Sequence, residues 1–155
     1  MPGVNEPAPL GSPLAQVRQA KVRQRRPFVD TNVLLYLISA DAAKAERAEQ
    51  VLAGRIVISV QVLNEFANVV RRKHSLDWAE LQQVLAVISS YCEGLALTVA
   101  THQRGLALAR HYQFSIYDAM IAAAALEAGC DSLFSEDFHT GQRIDSQLLV
   151  VNPFH

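Results

Sequence analysis

The sequence has few cysteines and no long apolar run. Its two cysteines, Cys92 and Cys130, both stand among apolar residues, which predicts reduced thiols in a core rather than a disulfide framework. No stretch approaches the roughly 18 apolar residues of a membrane span, and the N-terminal region lacks the apolar segment of a secretory signal. We therefore expect neither a disulfide-rich secreted protein nor an integral membrane protein, and we predict a cytoplasmic location.

The chain also lacks an excess of charge of either sign, with 14 Lys and Arg against 15 Asp and Glu and a formal net charge of -1. This balance gives no general attraction to nucleic acid or to an anionic membrane. The charges are unevenly placed, because residues 1–26 hold five basic residues and one acidic residue. The same segment is rich in Pro and Gly and poor in large apolar residues, which disfavours a packed core. We predict a flexible basic tail at 1–26 and one folded domain at 27–155.

Several common catalytic motifs are missing. There is no Gly-rich phosphate loop and no Gly-x-Ser-x-Gly motif, which argues against nucleotide cofactors and serine hydrolysis. The five histidines, His74, His102, His111, His139 and His155, lack the spacing of zinc ligands.

From residue 27 onward, short apolar runs alternate with longer segments of helical periodicity. This alternation is typical of an α/β fold whose mainly parallel sheet is connected by crossover helices. We predict five strands, at 28–30, 56–59, 95–99, 132–135 and 148–151. We predict helices at 33–39, 41–53, 60–73, 77–91, 101–112 and 116–128, with Ser59, Asp77, Thr101 and Ser115 as caps at the starts of the last four.

Four carboxylates lie at or near the edges of these runs. Asp30 ends the first predicted strand, and Asp137 follows the fourth. Asp118 lies in the first turn of the most apolar helix, and Glu65 flanks the apolar stripe of the helix at 60–73. Ligand sites in open α/β sheets lie outside the carboxyl ends of the strands, so Asp30 and Asp137 are candidates to face one another.

Each acid also has an ordinary structural interpretation. A helix dipole stabilises an acid in the position of Asp118 by roughly 0.3–1 kcal/mol, and Glu65 could be a solvated surface residue. Converging carboxylates, however, repel one another and raise their pKa values unless a cation neutralises them. Oxygen ligands favour Mg²⁺ or Mn²⁺ over zinc, and such ions activate water and polarise phosphate. Taken together, the four acids predict metal-dependent hydrolysis of phosphodiesters.

Four motifs in chain order resemble the PIN domain family. They are Phe-Val-Asp-Thr-Asn at 28–32, Glu65 in a helix after a strand, Tyr-Asp-Ala at 117–119 and Phe-Ser-Glu-Asp-Phe at 134–138. The segments 141–144 and 150–154 are similar to those of bacterial PIN toxins of the VapC type. The resemblance covers about residues 27–155. It implies a three-layer α/β/α sandwich with about five strands, and an Mg²⁺- or Mn²⁺-dependent endoribonuclease. It also implies that the protein is the toxin of a type II toxin–antitoxin pair and that it forms a homodimer bound by a cognate antitoxin.

The resemblance assigns roles to particular residues. Asp30, Glu65, Asp118 and Asp137 would be the catalytic acids, and Asp30, Asp118 and Asp137 the metal ligands. Thr31, Asn32 and Ser135 would orient the carboxylates by hydrogen bonds. Ser135 stands where the family often has threonine, which keeps the hydroxyl, and Glu136 is expected to point outward.

Two further hypotheses concern binding, and two alternative functions stay open. Arg71, Arg72 and Lys73 either hold RNA phosphates or form a solvated helix end. The apolar segments at 33–38 and 60–70 could accept an antitoxin helix in a groove between them. A housekeeping RNA-processing PIN nuclease, which would not arrest growth, remains an alternative. A catalytically silent PIN module that binds RNA or protein is another, although the retained acids argue against it.

Overall fold

The computed structural model describes residues 26–155, so all but the last residue of the predicted tail at 1–26 lies outside the described residues. The first half of the domain contains β1 (Pro27–Val29), α1 (Thr31–Leu35) with a 3-10 turn (Tyr36–Ile38), α2 (Ala42–Leu52), β2 (Ile56–Ser59), α3 (Val60–Lys73) and α4 (Trp78–Tyr91). The second half contains β3 (Cys92–Leu95), α5 (Val99–Tyr112), α6 (Ile116–Glu127), β4 (Ser132–Phe134), β5 (Arg143–Ile144) and β6 (Leu148–Val151).

The strands form one sheet in the order β3-β2-β1-β4-β6-β5, in which only β5 runs antiparallel to its neighbour. The predicted α/β class with a mainly parallel sheet is confirmed, and the two-residue strand β5 is an addition to the five predicted strands. β1 is central, and Phe28 lies level with Val57 of β2 and Leu133 of β4. Because the three strands are parallel, their carboxyl ends meet at one edge of the sheet.

Helix α6 supplies much of the core. Its residues 119–126 are all buried, as expected for a helix with no polar residue in that stretch. Helix α5 packs closely on it at Gly105, where an added Cβ would stand 2.6 Å from Met120 Sδ. Helix α6 ends before Gly129, whose φ of 69° is the left-handed conformation that glycine adopts most readily. The burial of α6 and its contact with α5 fix the start of α6, and therefore Asp118, against the sheet.

The predicted third strand and fifth helix were misplaced. The strand occupies Cys92–Leu95 rather than 95–99, and α5 begins at Val99 with Thr98 as its cap. The Thr98 side chain accepts a hydrogen bond from the Thr101 N–H, and the Thr101 hydroxyl reaches back to the Thr98 N–H at 3.2 Å. Thr101 is therefore inside the helix, where its hydroxyl also donates to Glu127 Oε2.

The remaining predicted elements agree with the structure to within about two residues at their ends. Helix α1 begins earlier than predicted, because the Asp30 carboxylate accepts from the Thr31 N–H and caps it. Asp77 and Ser115 cap α4 and α6 as predicted. Within residues 26–155, no helix is both long and apolar enough to cross a membrane.

Candidate active site

Asp30 lies directly after the central strand and is 3% exposed. Its Oδ1 accepts from the Thr31 backbone N–H at 2.7 Å, and its Oδ2 accepts from the Ser135 hydroxyl at 2.7 Å. The Asn32 amide approaches the same Oδ2 at 3.4 Å. The parallel pairing of β1 and β4 brings Ser135 to this carboxylate, so the sheet register itself fixes the orientation of the acid.

Ser135 connects the two acids that follow β1 and β4. Its fully buried hydroxyl oxygen accepts from the Asp137 backbone N–H at 3.0 Å and from the Asn32 amide at 3.3 Å. Asn32 Oδ1 in turn accepts from the Glu136 backbone N–H at 3.3 Å. The predicted positioning residues Asn32 and Ser135 thus hold the turn after β4 against the turn after β1.

Glu65 reaches the same region from α3. Its Oε2 accepts from the Thr31 hydroxyl at 2.9 Å, and its Oε1 accepts from the Gln61 amide at 2.9 Å. The Gln61 amide also donates to the backbone carbonyl of Tyr117, next to Asp118. Gln61 was not identified from the sequence as part of the site, although a glutamine four residues before an acid on a helix is a known pairing.

The four predicted acids share one electrostatic neighbourhood. Burial raises the pKa of Asp30 to about 6; the hydrogen bonds from Ser135 and Thr31 oppose the rise, and the charges of Asp137 and Glu65 add to it. Burial also raises the pKa of the half-buried Asp118, where the Ser115 hydrogen bond opposes the rise and the charge of Asp137 adds to it. Asp137 is exposed, so it borders the site on the solvent side.

No basic side chain neutralises these acids within the described part of the chain. Its ion pairs join Arg26 to Glu93, Lys44 to Glu136 and Arg104 to Asp145. Residues 26–155 also contain no group of three or more His, Cys, Asp or Glu side chains placed together as a ready metal cage. The oxygen donors nevertheless fit Mg²⁺, which is often bound through one or two carboxylates and keeps several waters.

The structure changes the interpretation of the basic end of α3 and corrects the predicted cap at its start. Arg71 donates to the Leu76 carbonyl, and its guanidinium lies 4.4 Å from the centre of the Trp78 ring, so it joins α3 to α4. Ser59 occupies the cap position of α3, but its side chain does not cap the helix. Its buried hydroxyl has no hydrogen-bond partner among residues 26–155. Arg72 and Lys73 are exposed.

Much of the apolar surface that was predicted to line a groove between α1 and α3 lies in the core. Val33, Leu34, Val62 and Phe66, which would have lined it, are all buried. An open apolar groove of about 540 Å³ lies instead between the 3-10 turn, α2 and α4. We call it the α2–α4 groove; its apolar lining includes Leu37, Ile38, Leu52, Val84, Val87 and Tyr91.

The fold and the acids define an α/β protein whose carboxylates gather at the carboxyl edge of a parallel sheet. Residues 28–142 match the PIN domain family, and the chain belongs to this family. No curated protein sequence matches the chain.

Several solved structures share the fold, among them the following three. A toxin–antitoxin complex from Klebsiella pneumoniae has a TM-score of 0.64 and 22% identity, covering 82% of this chain and 97% of its own. VapC20 from Mycobacterium tuberculosis, a toxin that cleaves the sarcin-ricin loop, has a TM-score of 0.59 and 22% identity, with coverage of 72% and 91%. FitAcB from Neisseria gonorrhoeae has a TM-score of 0.59 and 17% identity, with coverage of 83% and 99%.

Proposed function

We propose that this protein is a divalent-metal-dependent endoribonuclease and the toxin of a toxin–antitoxin pair. The observation that carries the proposal is Asp30, a buried carboxylate held by two short hydrogen bonds beside the charges of Asp137 and Glu65. Residues 26–155 bury and orient this acid without giving it a basic partner, and that arrangement fits a bound cation. Membership of the PIN family and the likeness to VapC20 support ribonuclease activity.

Asp30, Asp118 and Asp137 would hold Mg²⁺ or Mn²⁺. When bound, the ion supplies charge neutralisation at the phosphate and activation of the attacking water. Thr31, Asn32 and Ser135 hold the carboxylates in orientation, so that few side chains need to reorganise on binding.

Glu65 would act on the attacking water. The Thr31 hydroxyl and the Gln61 amide each hold one of its carboxylate oxygens. Each oxygen keeps a further lone pair, so the side chain can orient the water or accept its proton. In hydrolysis the water oxygen bonds to phosphorus, and the ribose oxygen leaves and takes up a proton.

RNA cleavage with Mg²⁺, Mn²⁺ or EDTA tests the enzymatic proposal. We expect the wild-type protein to cut single-stranded or structured RNA only with metal, and Asp118→Asn to lose the activity while remaining folded by circular dichroism. Asp131→Asn is the matched control, because Asp131 is an exposed acid just before β4, at the other end of that strand from Asp137. The enzymatic proposal would be refuted if the protein bound no metal by calorimetry and cleaved no RNA under any of these conditions.

The toxin role is tested separately by expression. Growth arrest that depends on Asp118, and is relieved by the protein encoded beside this one, would distinguish a toxin from a housekeeping nuclease. Cleavage without growth arrest would favour the housekeeping role.

We further propose that an apolar helix of the antitoxin occupies the α2–α4 groove. Val87 and Tyr91 are 55% and 56% exposed there, and a protein of the same fold occurs in a toxin–antitoxin complex. Val87→Glu should abolish co-purification with the neighbouring gene's product, whereas Val99→Glu, at another exposed valine, should not. Equal loss in both variants would contradict this site.

A homodimer and a cytoplasmic location remain predictions, and sedimentation and cell fractionation would test them.

A further inference from the structure

A cavity of about 330 Å³, lined by both apolar and polar side chains, lies beside the acids, between α1 and α3. We call it the rim cavity; its lining includes Asn32, Tyr36, Val69, Lys73, His74 and Glu136. Small-ligand sites begin at about this volume, so the cavity suits a single nucleotide rather than a partner helix.

The rim cavity adjoins the proposed catalytic site through Asn32. The Asn32 amide nitrogen lies 3.4 Å from Asp30 Oδ2, and the same side chain lines the cavity. A nucleotide bound there would lie next to the metal ion that Asp30 would hold, where the phosphate is expected. The exposed ammonium of Lys73 adds a positive charge to the cavity lining, which favours an RNA backbone.

The Glu136 carboxylate is a hydrogen-bond acceptor in the rim cavity, and neighbouring side chains fix its orientation. The Tyr36 hydroxyl donates to its Oε2 at 2.8 Å, and Lys44 Nζ lies 3.6 Å from its Oε1. Lys44 also donates to the Tyr36 oxygen at 2.9 Å, and the Glu136 backbone N–H contacts Asn32. The half-buried carboxylate is therefore fixed, and its oxygens keep lone pairs for further donors.

We infer that the rim cavity binds the base adjoining the scissile phosphate and that Glu136 selects guanine. This inference rests on the proposed ribonuclease function. Guanine presents two adjacent N–H donors, which match the two oxygens of a carboxylate. The amino groups of adenine and cytosine stand beside a ring-nitrogen acceptor, which repels the carboxylate. Uracil offers one N–H between two carbonyls.

Binding of the four nucleoside 5′-monophosphates in EDTA tests the cavity without any cleavage. Amide chemical shifts in ¹⁵N spectra should move at Tyr36, Val69 and His74, and GMP should bind at least about fivefold more tightly than the other three. Glu136→Gln should remove this preference. The glutamine amide presents an N–H group to one of the two guanine N–H donors, where the carboxylate presents an oxygen. Glu46→Gln, on the exposed part of α2, should retain the preference.

Cleavage of a random RNA pool with Mg²⁺ provides the second measurement. Sequenced ends should show guanine at one fixed position beside the cut, and Glu136→Gln should lose that bias. Equal affinity for all four nucleotides, or a bias unchanged in Glu136→Gln, would overturn the inference. Arginine amide serves as a second probe in the ¹⁵N experiment. If it shifts the amide signals of the cavity and no nucleotide does, the cavity binds a basic side chain of a protein partner, and base selection is refuted. Failure of cleavage alone would count against the proposed function, while the binding experiment still decides the cavity.

Discussion

The hydroxyl of Ser135 donates to Asp30 Oδ2 at 2.7 Å, and the same oxygen accepts from the Asp137 N–H. A fully buried residue after β4 thereby orients the acid after β1 and the backbone of the acid two residues further on. Because a hydroxyl can donate once while accepting elsewhere, serine serves both acids at once.

Replacing Ser135 with alanine should weaken metal binding. The hydrogen bond from Ser135 lowers the pKa of Asp30, so its loss should raise that pKa and release the carboxylate from its orientation. Loss of such a supporting hydrogen bond typically costs about 10- to 100-fold in metal affinity. Mn²⁺ titration by calorimetry measures the effect. Ser132→Ala, which removes a hydroxyl bonded to the exposed Asp131, should bind Mn²⁺ like the wild type; equal affinity in all three proteins would contradict the prediction.

The stability of the metal-free protein should fall as pH rises through the range in which Asp30 ionises. Its pKa is raised in the folded state from 3.8 to about 6, so the folded state binds the proton more tightly than the unfolded state. The stability from this group is therefore present below about pH 4 and is lost as pH approaches 6. Burial is the main cause, so the loss reflects the cost of a buried charge.

Asp30→Asn isolates this contribution. Between about pH 4.5 and pH 7.5, the free energy of unfolding of the wild type should fall by about 2 kcal/mol relative to that of the variant. Urea denaturation in EDTA at the two pH values measures the difference. A difference that is the same at both pH values, or that grows in the opposite direction, would contradict the raised pKa.

The sequence predicted the part of the site that follows from strand ends. Asp30 and Asp137 follow apolar runs that pair in parallel, and this pairing places them at one edge. Gln61 was missed because its role depends on a contact with the Tyr117 carbonyl, 56 residues away. The third strand was placed at 95–99 instead of Cys92–Leu95 because this short edge strand lacks an apolar run. Its two middle residues, Glu93 and Gly94, are exposed.

The misplaced start of α5 leads to a prediction about its cap. Thr98→Ala should destabilise the protein by about 1 kcal/mol, because the side chain accepts from the Thr101 N–H at 3.1 Å. Thr98→Ser should restore most of the loss by retaining the oxygen. Thermal denaturation compares these variants with Thr140→Ala, at an exposed threonine outside any helix. Equal stability of Thr98→Ala and Thr140→Ala would show that the cap contributes little.

Arg71 should contribute to stability through Trp78. A cation over an aromatic ring at an exposed site contributes about 0.5–1 kcal/mol, and the guanidinium lies 4.4 Å from the ring centre. Single and double alanine variants of Arg71 and Trp78 should show a coupling of this size in chemical denaturation. Strictly additive effects would mean that the two side chains do not stabilise one another.

Lys73 should bind RNA, unlike Arg71, whose side chain is engaged at the α3–α4 corner. It is exposed and lines the rim cavity beside Asn32, where its ammonium can reach a phosphate. Removing one phosphate contact from single-stranded RNA should lower the slope of log affinity against log salt by about 0.7. Fluorescence anisotropy with Lys73→Glu in the Asp118→Asn background measures this without cleavage. Arg110→Glu, at an exposed cation near the end of α5, should leave the slope unchanged. If both reversals lower the slope equally, RNA responds to overall charge, and Lys73 has no specific place in the site.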